Sequence, residues 1–283
     1  MTHAMRFALN HSIAPLLPIA DFLDLASDVG VDAVELRDGM PPGWEFPDTA
    51  NVLMLDPVDL RAMAADAGLE ILTINALQRF DQWDRERTQQ AREMIEFAAQ
   101  AGIGAIVLCP SVAPAGSPAL PSGLATALDA LQPMLADSGV KGLIEPLGFH
   151  TSSIRLKAVV DAELAARGNP ACLGIVHDTF HHAIAQDPTV SAATLLVHLS
   201  GVTSSGLGLD QLGDRHRVLV DGHDTIANVE QVRQLSVLYE GHWSLEPFAS
   251  SVGGSTTLAD DLRASLAFIA AGSRPASAVT LLE

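Results

Sequence analysis

Cysteine, tyrosine and basic side chains are scarce in this chain of 283 residues. It has two cysteines, one tyrosine, and 16 Lys and Arg against 34 Asp and Glu. Both cysteines, Cys109 and Cys172, sit in apolar runs (AIVLCP and ACLGIV). That excludes a disulfide scaffold and predicts buried free thiols. A reducing compartment, the cytoplasm, is the expected location. The formal charge of −18 repels nucleic acid and anionic membranes, so neither is an expected partner. It does not repel a neutral polyol or a divalent cation. No run of 18 residues is free of polar and charged groups, so no transmembrane helix is expected. The opening MTHAMRFALNHS has one Arg and no apolar core, so no secretory signal is expected either. Linkers, low-complexity tracts and short-period repeats are missing too, which predicts a single domain over 1–283.

Apolar residues are abundant, at 48%, with a mean hydropathy of +0.25. A disordered chain is excluded. Strand-length apolar runs fall at 5–10, 33–37, 70–75, 104–108, 141–146, 172–178, 195–200 and 242–247. Several are continuous Val/Ile/Leu runs, as for strands buried on both faces. Amphipathic stretches of helix length separate most of them. Asp56 followed by Pro57 marks one helix start, and Gly30 and Gly102 mark helix ends. Later helices are predicted near 118–137, 155–167, 225–240 and 257–271, while the stretch after strand six is short for a full helix. This alternation predicts an α/β fold, a (β/α)8 TIM barrel. Two long loops, 110–123 and 200–224, follow strands and so lie at the C-terminal face, where barrel active sites form. Apolar helical stretches such as AELAARG and RASLAFIAAG leave room for a homo-oligomer interface.

Four strands end in ionisable residues directly after an apolar run: Glu145 in LIEPLGFH, Asp178 in GIVHDTFHH, His198 in LLVHLSG and Glu246 in WSLEPF. Such groups are costly to bury unless they are paired or hold a metal. Consecutive strand ends converge at a barrel mouth. Three carboxylates and one imidazole suit one divalent ion of the Mn, Co, Mg or Zn type. Asn75, at the end of strand three, and Gln78 are placed to hydrogen-bond a substrate. Phe80, Trp83 and Phe180 are candidates for an apolar wall. Glu35 and Arg37 are expected to pair with each other under the site. His11 and His150 are similarly placed and receive no role.

FALNHS, VELR, INALQRF, LIEPLGFH, HDTFHH and SLEPF together resemble the xylose-isomerase-like barrel superfamily of sugar isomerases and epimerases. Within it the chain looks most like the inosose (2-keto-myo-inositol) isomerases, over nearly its full length. The resemblance implies that Glu145, Asp178, His198 and Glu246 are the metal ligands. It also implies that Glu145 and Glu246 are catalytic, moving a proton between adjacent carbons of an α-hydroxyketone through an enediolate. The family's histidine three residues after the metal Asp falls on His181, and its loop arginine on Arg217. Both are expected to bind substrate, a small polyol or ketose. Three segments depart from the pattern. HLSGV has Ser200 and Gly201 where relatives often carry an Asp. The stretch between strands six and seven is shortened. VDGHDT has His223 where a Gly is usual. A metal-dependent dehydratase of a cyclic ketone (inosose or 3-dehydroshikimate) and a ketose 3-epimerase would use the same ligand set. A polyol-binding barrel without catalysis is the non-enzymatic alternative.

Overall fold

The computed structural model describes residues 5–39, 51–203 and 206–273. Residues 204–205, within the long 200–224 loop, lie outside that range. Eight parallel strands close into a barrel in sequence order, as the alternation predicts. They are β1 (Arg6–Asn10), β2 (Ala33–Arg37), β3 (Glu70–Gln78), β4 (Ala105–Cys109), β5 (Lys141–Ile144), β6 (Leu173–Asp178), β7 (Thr194–Leu199) and β8 (His242–Leu245). The helices are α1 (Ile19–Val29), α2 (Pro57–Asp66), α3 (Arg85–Ala101), α4 (Leu124–Ser138), α5 (Lys157–Ala166), α6 (Thr179–Ala185), α7 (Asn228–Leu235), α8 (Ser250–Gly253) and α9 (Leu258–Gly272). None of the described helices is long and apolar enough to cross a membrane.

Local chemistry sets most helix ends. The Asp56 carboxylate accepts the Val58 and Asp59 amides at the start of α2, with Pro57 at its first position. Asp84 does the same for Arg87 at the start of α3. Gly30 and Gly102 end α1 and α3 in the left-handed conformation, at φ 87° and 74°, which glycine adopts without steric cost. α4 starts later than its apolar pattern suggests, because Pro118 and Pro121 precede it and prolines restrict their neighbours to extended backbone.

One large cluster of Leu, Ile, Val and Phe fills the layer between helices and barrel. A second, of Ala76, Ala105, Val107, Cys109, Leu143, Val176 and Leu196, fills part of the lumen. The barrel is therefore packed below its mouth rather than hollow. Both cysteines are free thiols; Cys109 is buried and Cys172 half-buried. The long loop after β7 is tied at its base by bridges between Gly201 and Val218 and between Thr203 and Asp224. Those ties hold Arg217 beside the strand ends.

Candidate metal centre

Residues two apart on a strand share a face. Stepping back two residues from each strand's last lumen residue gives eight pairs: Ala8 and Asn10, Glu35 and Arg37, Thr73 and Asn75, Val107 and Cys109, Leu143 and Glu145, Val176 and Asp178, Leu196 and His198, Ser244 and Glu246. The upper members form the floor of the barrel mouth, and all eight are buried. Glu145 and Glu246 lie one residue past β5 and β8. Their amides still continue the ladder, to Leu108 O (3.1 Å) and Leu199 O (2.8 Å). Pro146 and Pro247 follow; they lack an N–H and hold the preceding glutamates extended. The two Glu-Pro pairs thus end their strands with a carboxylate at the mouth.

Glu145, Asp178, His198 and Glu246 each bring one donor atom to a common point, all within 4.8 Å of one another. His198 Nδ1 lies 2.9 Å from Glu145 Oε1, 3.0 Å from Glu246 Oε2 and 3.9 Å from Asp178 Oδ2. Three carboxylates and an imidazole, buried and convergent, are a donor set that fits one divalent ion. Two guanidiniums hold the same carboxylates. Arg217 Nη2 donates to Asp178 Oδ2 (2.5 Å) and Glu246 Oε2 (2.8 Å), while its Nε donates to Ser200 Oγ. Arg37 Nη1 donates to Glu246 Oε1 (3.0 Å). The Asn10 and Asn75 amides donate to that same oxygen, at 3.1 and 3.3 Å.

This crowding shapes the proton equilibria. Burial opposes ionisation of Glu246, but His198, Arg217 and Arg37 outweigh it and hold the carboxyl well below its usual range. Burial raises Asp178, and Arg217 only partly offsets it. Burial would lower His198, yet Glu246, Glu35 and Glu145 push it well above its ordinary value. Burial, reinforced by Arg217, lowers His181 to about 4, so its ring is neutral at pH 7. Burial and the Glu145 charge push the Cys109 thiol up.

A cavity of about 380 Å³ opens above this floor, and Asn75, Gln78, His181 and Arg217 all line it. His181 Nδ1 is buried without a partner among the described residues. The His181 amide donates to Asp178 Oδ1, so Asp178 also caps α6. Three expectations are corrected. Glu35 and Arg37 take different partners: Glu35 Oε2 meets Thr73 Oγ and His198 Nε2, while Arg37 meets Glu246. Two steps along one strand separate them, which puts Arg37 at the mouth and Glu35 below it. Phe80 and Trp83 pack in the helix layer, because the turn after β3 directs them outward. Phe180 lies under the Arg217 guanidinium, 5.2 Å from it. The aromatic walls of the cavity are Phe149 and Phe248 instead. His11 is buried against Phe22 with its Nε2 on Leu17 O, and His150 is exposed. Asn10, Cys109 and Asp214 join the site without having been singled out for it. The first two share the strand-end phase of the ligands. Asp214, which accepts from Arg217 Nη1, carries no such signal.

The family model of the xylose isomerase-like TIM barrel matches residues 23–271. The chain belongs to this family. Among solved structures it is similar to a xylose isomerase domain containing protein from Salmonella typhimurium LT2. That likeness has 29% identity and a TM-score of 0.82, over 96% of this chain and 98% of that one. It is also similar to the IolI protein with a binding zinc atom, at 17% identity and a TM-score of 0.79, over 95% and 98%. An L-ribulose 3-epimerase follows at 16% identity and a TM-score of 0.69, over 95% and 94%. The last two likenesses show a shared fold. No curated protein is significantly similar in sequence.

Proposed function

We propose that this xylose isomerase-like barrel is a divalent-metal-dependent isomerase or epimerase of a keto-cyclitol or ketose, with 2-keto-myo-inositol as the first candidate substrate. The observation that carries the reading is the convergence of four buried donors, Glu145, Asp178, His198 and Glu246, under a cavity lined by hydrogen-bonding side chains. The similar zinc-binding and epimerase barrels support it. These four residues would hold the ion. A divalent ion so placed supplies Lewis-acid polarisation of a carbonyl and charge neutralisation.

The chain's own residues carry the remaining work. Glu145 and Glu246 stand on strands three apart, so they reach a bound substrate from different sides. Glu246, held ionised, would take the proton from the carbinol carbon; for an isomerisation the hydroxyl proton passes to the carbonyl oxygen, and Glu145, which must bring a proton to the complex, returns one to the neighbouring carbon. Arg217 and the neutral His181 face the cavity, where the first donates to substrate oxygens and the second donates or accepts. Asn75 and Gln78 add amide groups on the β3 side, and Phe149 and Phe248 offer apolar faces to ring C–H groups.

The test is direct. Protein stripped with EDTA is expected to be inactive and to recover with Mn or Co. The loaded protein, incubated with 2-keto-myo-inositol and common ketoses, is expected to exchange or invert a carbon-bound proton detectable by NMR. Full activity without metal would end this reading. Appearance of a conjugated enone, seen by its ultraviolet absorbance, would make the enzyme a dehydratase instead.

A further inference from the structure

Glu35 has no part in the reading above, yet it is a carboxylate with 0% exposure inside the barrel. It makes no ion pair with a Lys or Arg among the described residues. Its one charged partner among the described residues is the His198 imidazole, and a carboxylate is costly to bury unless it is paired or hydrogen-bonded. The lumen does not demand a charge at this level: the equivalent step on β4, β5, β6 and β7 is filled by Val107, Leu143, Val176 and Leu196. Glu35 therefore needs a reason to be there.

Its contacts supply one. Glu35 Oε2 accepts from Thr73 Oγ at 2.6 Å and lies 3.2 Å from His198 Nε2. The other ring nitrogen of His198, Nδ1, points at Glu145 and Glu246. The imidazole is strung between Glu35 below and the candidate ligand oxygens above. Turning the ring over would break both ends.

We infer that Glu35 is a positioning residue: it accepts the Nε2–H of His198, so that Nδ1 presents its lone pair to the ion, and its charge makes the ring a stronger nitrogen donor. Thr73 holds the accepting oxygen in place. The centre is thereby biased toward ions that favour nitrogen, such as Zn2+ and Co2+, over ions that favour oxygen, such as Mn2+ and Mg2+. The inference rests on the proposed metal centre.

The experiment uses full-length, metal-stripped protein and competition with a chromophoric chelator, with Zn2+ and Mn2+ as separate probes. Glu35→Leu is expected to weaken Zn2+ binding by roughly 10–100-fold and Mn2+ binding by clearly less. Glu35→Gln, which keeps the shape without the charge, is expected to fall between it and wild type for Zn2+. In zinc-loaded protein labelled with 15N-histidine, a protonated His198 Nε2 is expected in wild type and a shifted or lost signal in Glu35→Leu. Thermal unfolding of the stripped proteins checks the fold. If Glu35→Leu does not fold, the Zn2+ to Mn2+ affinity ratio of Glu35→Gln decides alone. Wild-type Zn2+ affinity in the variants, or equal losses for both ions, overturns the positioning role and leaves the metal centre standing. Wild-type protein that binds neither ion overturns both.

Discussion

Glu246 is the most heavily held residue of the site. Arg37, Asn10 and Asn75 donate to Oε1, and Arg217 and His198 meet Oε2. Two cations and an imidazole keep it ionised, so its role depends on its charge. Glu246→Gln keeps the volume but removes that charge. Turnover is expected to drop by roughly 10²–10⁴-fold, the usual worth of a positioned acid–base group, while far-UV circular dichroism stays that of the barrel. A near-normal rate would remove Glu246 from the chemistry. The four candidate ligands were legible because each is an ionisable residue closing an apolar run. Asn10 and Arg37 obey the same strand phase, but a neutral amide or an arginine at a strand end is too common to stand out. Which carboxylate Arg37 would choose was not legible. The choice depends on the two-residue step that puts Glu35 below it, and on a neighbour more than 200 positions away, Glu246.

Among the elements, α6 has little support of its own. It has seven residues, too few to be stable unaided, yet it carries His181 to the cavity wall. Three contacts pin it. Asp178 caps its start. Gly148 lets the loop after β5 approach so closely that a Cβ there would sit 2.2 Å from His181 O. Beyond its end, Asp187 receives the Lys157 amide (2.9 Å) and Lys157 Nζ (3.0 Å), and Nζ also reaches His182 Nδ1 (2.9 Å). Lys157 and Asp187 are both buried. Lys157→Met should therefore destabilise the protein by about 3 kcal/mol, the low end for breaking a buried pair, since Asp187 keeps the amides of Lys157 and Thr189. Urea unfolding checks this, and a midpoint unchanged from wild type would sink the idea that this pair anchors α6. The sequence marked the segment after strand six as too short for a full helix, and the short α6 fits that mark. It did not reveal the staple, because Lys157 and Asp187 belong to different loops and neither lies in a patterned run. The strands were legible at nearly their observed bounds because Val/Ile/Leu runs are physically distinctive. The α8 turn had no such pattern and was missed.

At the scale of the molecule, buried neutral histidines set the acid limit of the fold. Burial, opposed by the bond to Leu17 O and reinforced by Arg37, lowers His11 to about 4. Burial and then Lys157 lower His182 to about 4 as well. In the unfolded chain both titrate near their ordinary 6.5. Between those values the unfolded state binds more protons than the folded one, so stability rises with pH and is lost as pH falls from 6.5 toward 4. Above 6.5 both states are neutral and these two groups give no slope. His198, kept protonated by its carboxylate neighbours, titrates above the window and does not mask it. The many surface carboxylates act the other way, since protonating them relieves the self-repulsion of a −18 chain. For fully buried His11 the loss by pH 5 comes to about 2 kcal/mol; half-buried His182 adds less. Metal-stripped protein should therefore unfold at clearly lower urea at pH 5 than at pH 6.5. His11→Gln, which retains a donor for Leu17 O and cannot titrate, should remove a measurable part of that difference, while His181, His182 and His177, also lowered by burial, keep the rest. An equal pH response in wild type and His11→Gln would show that the acid limit is set elsewhere.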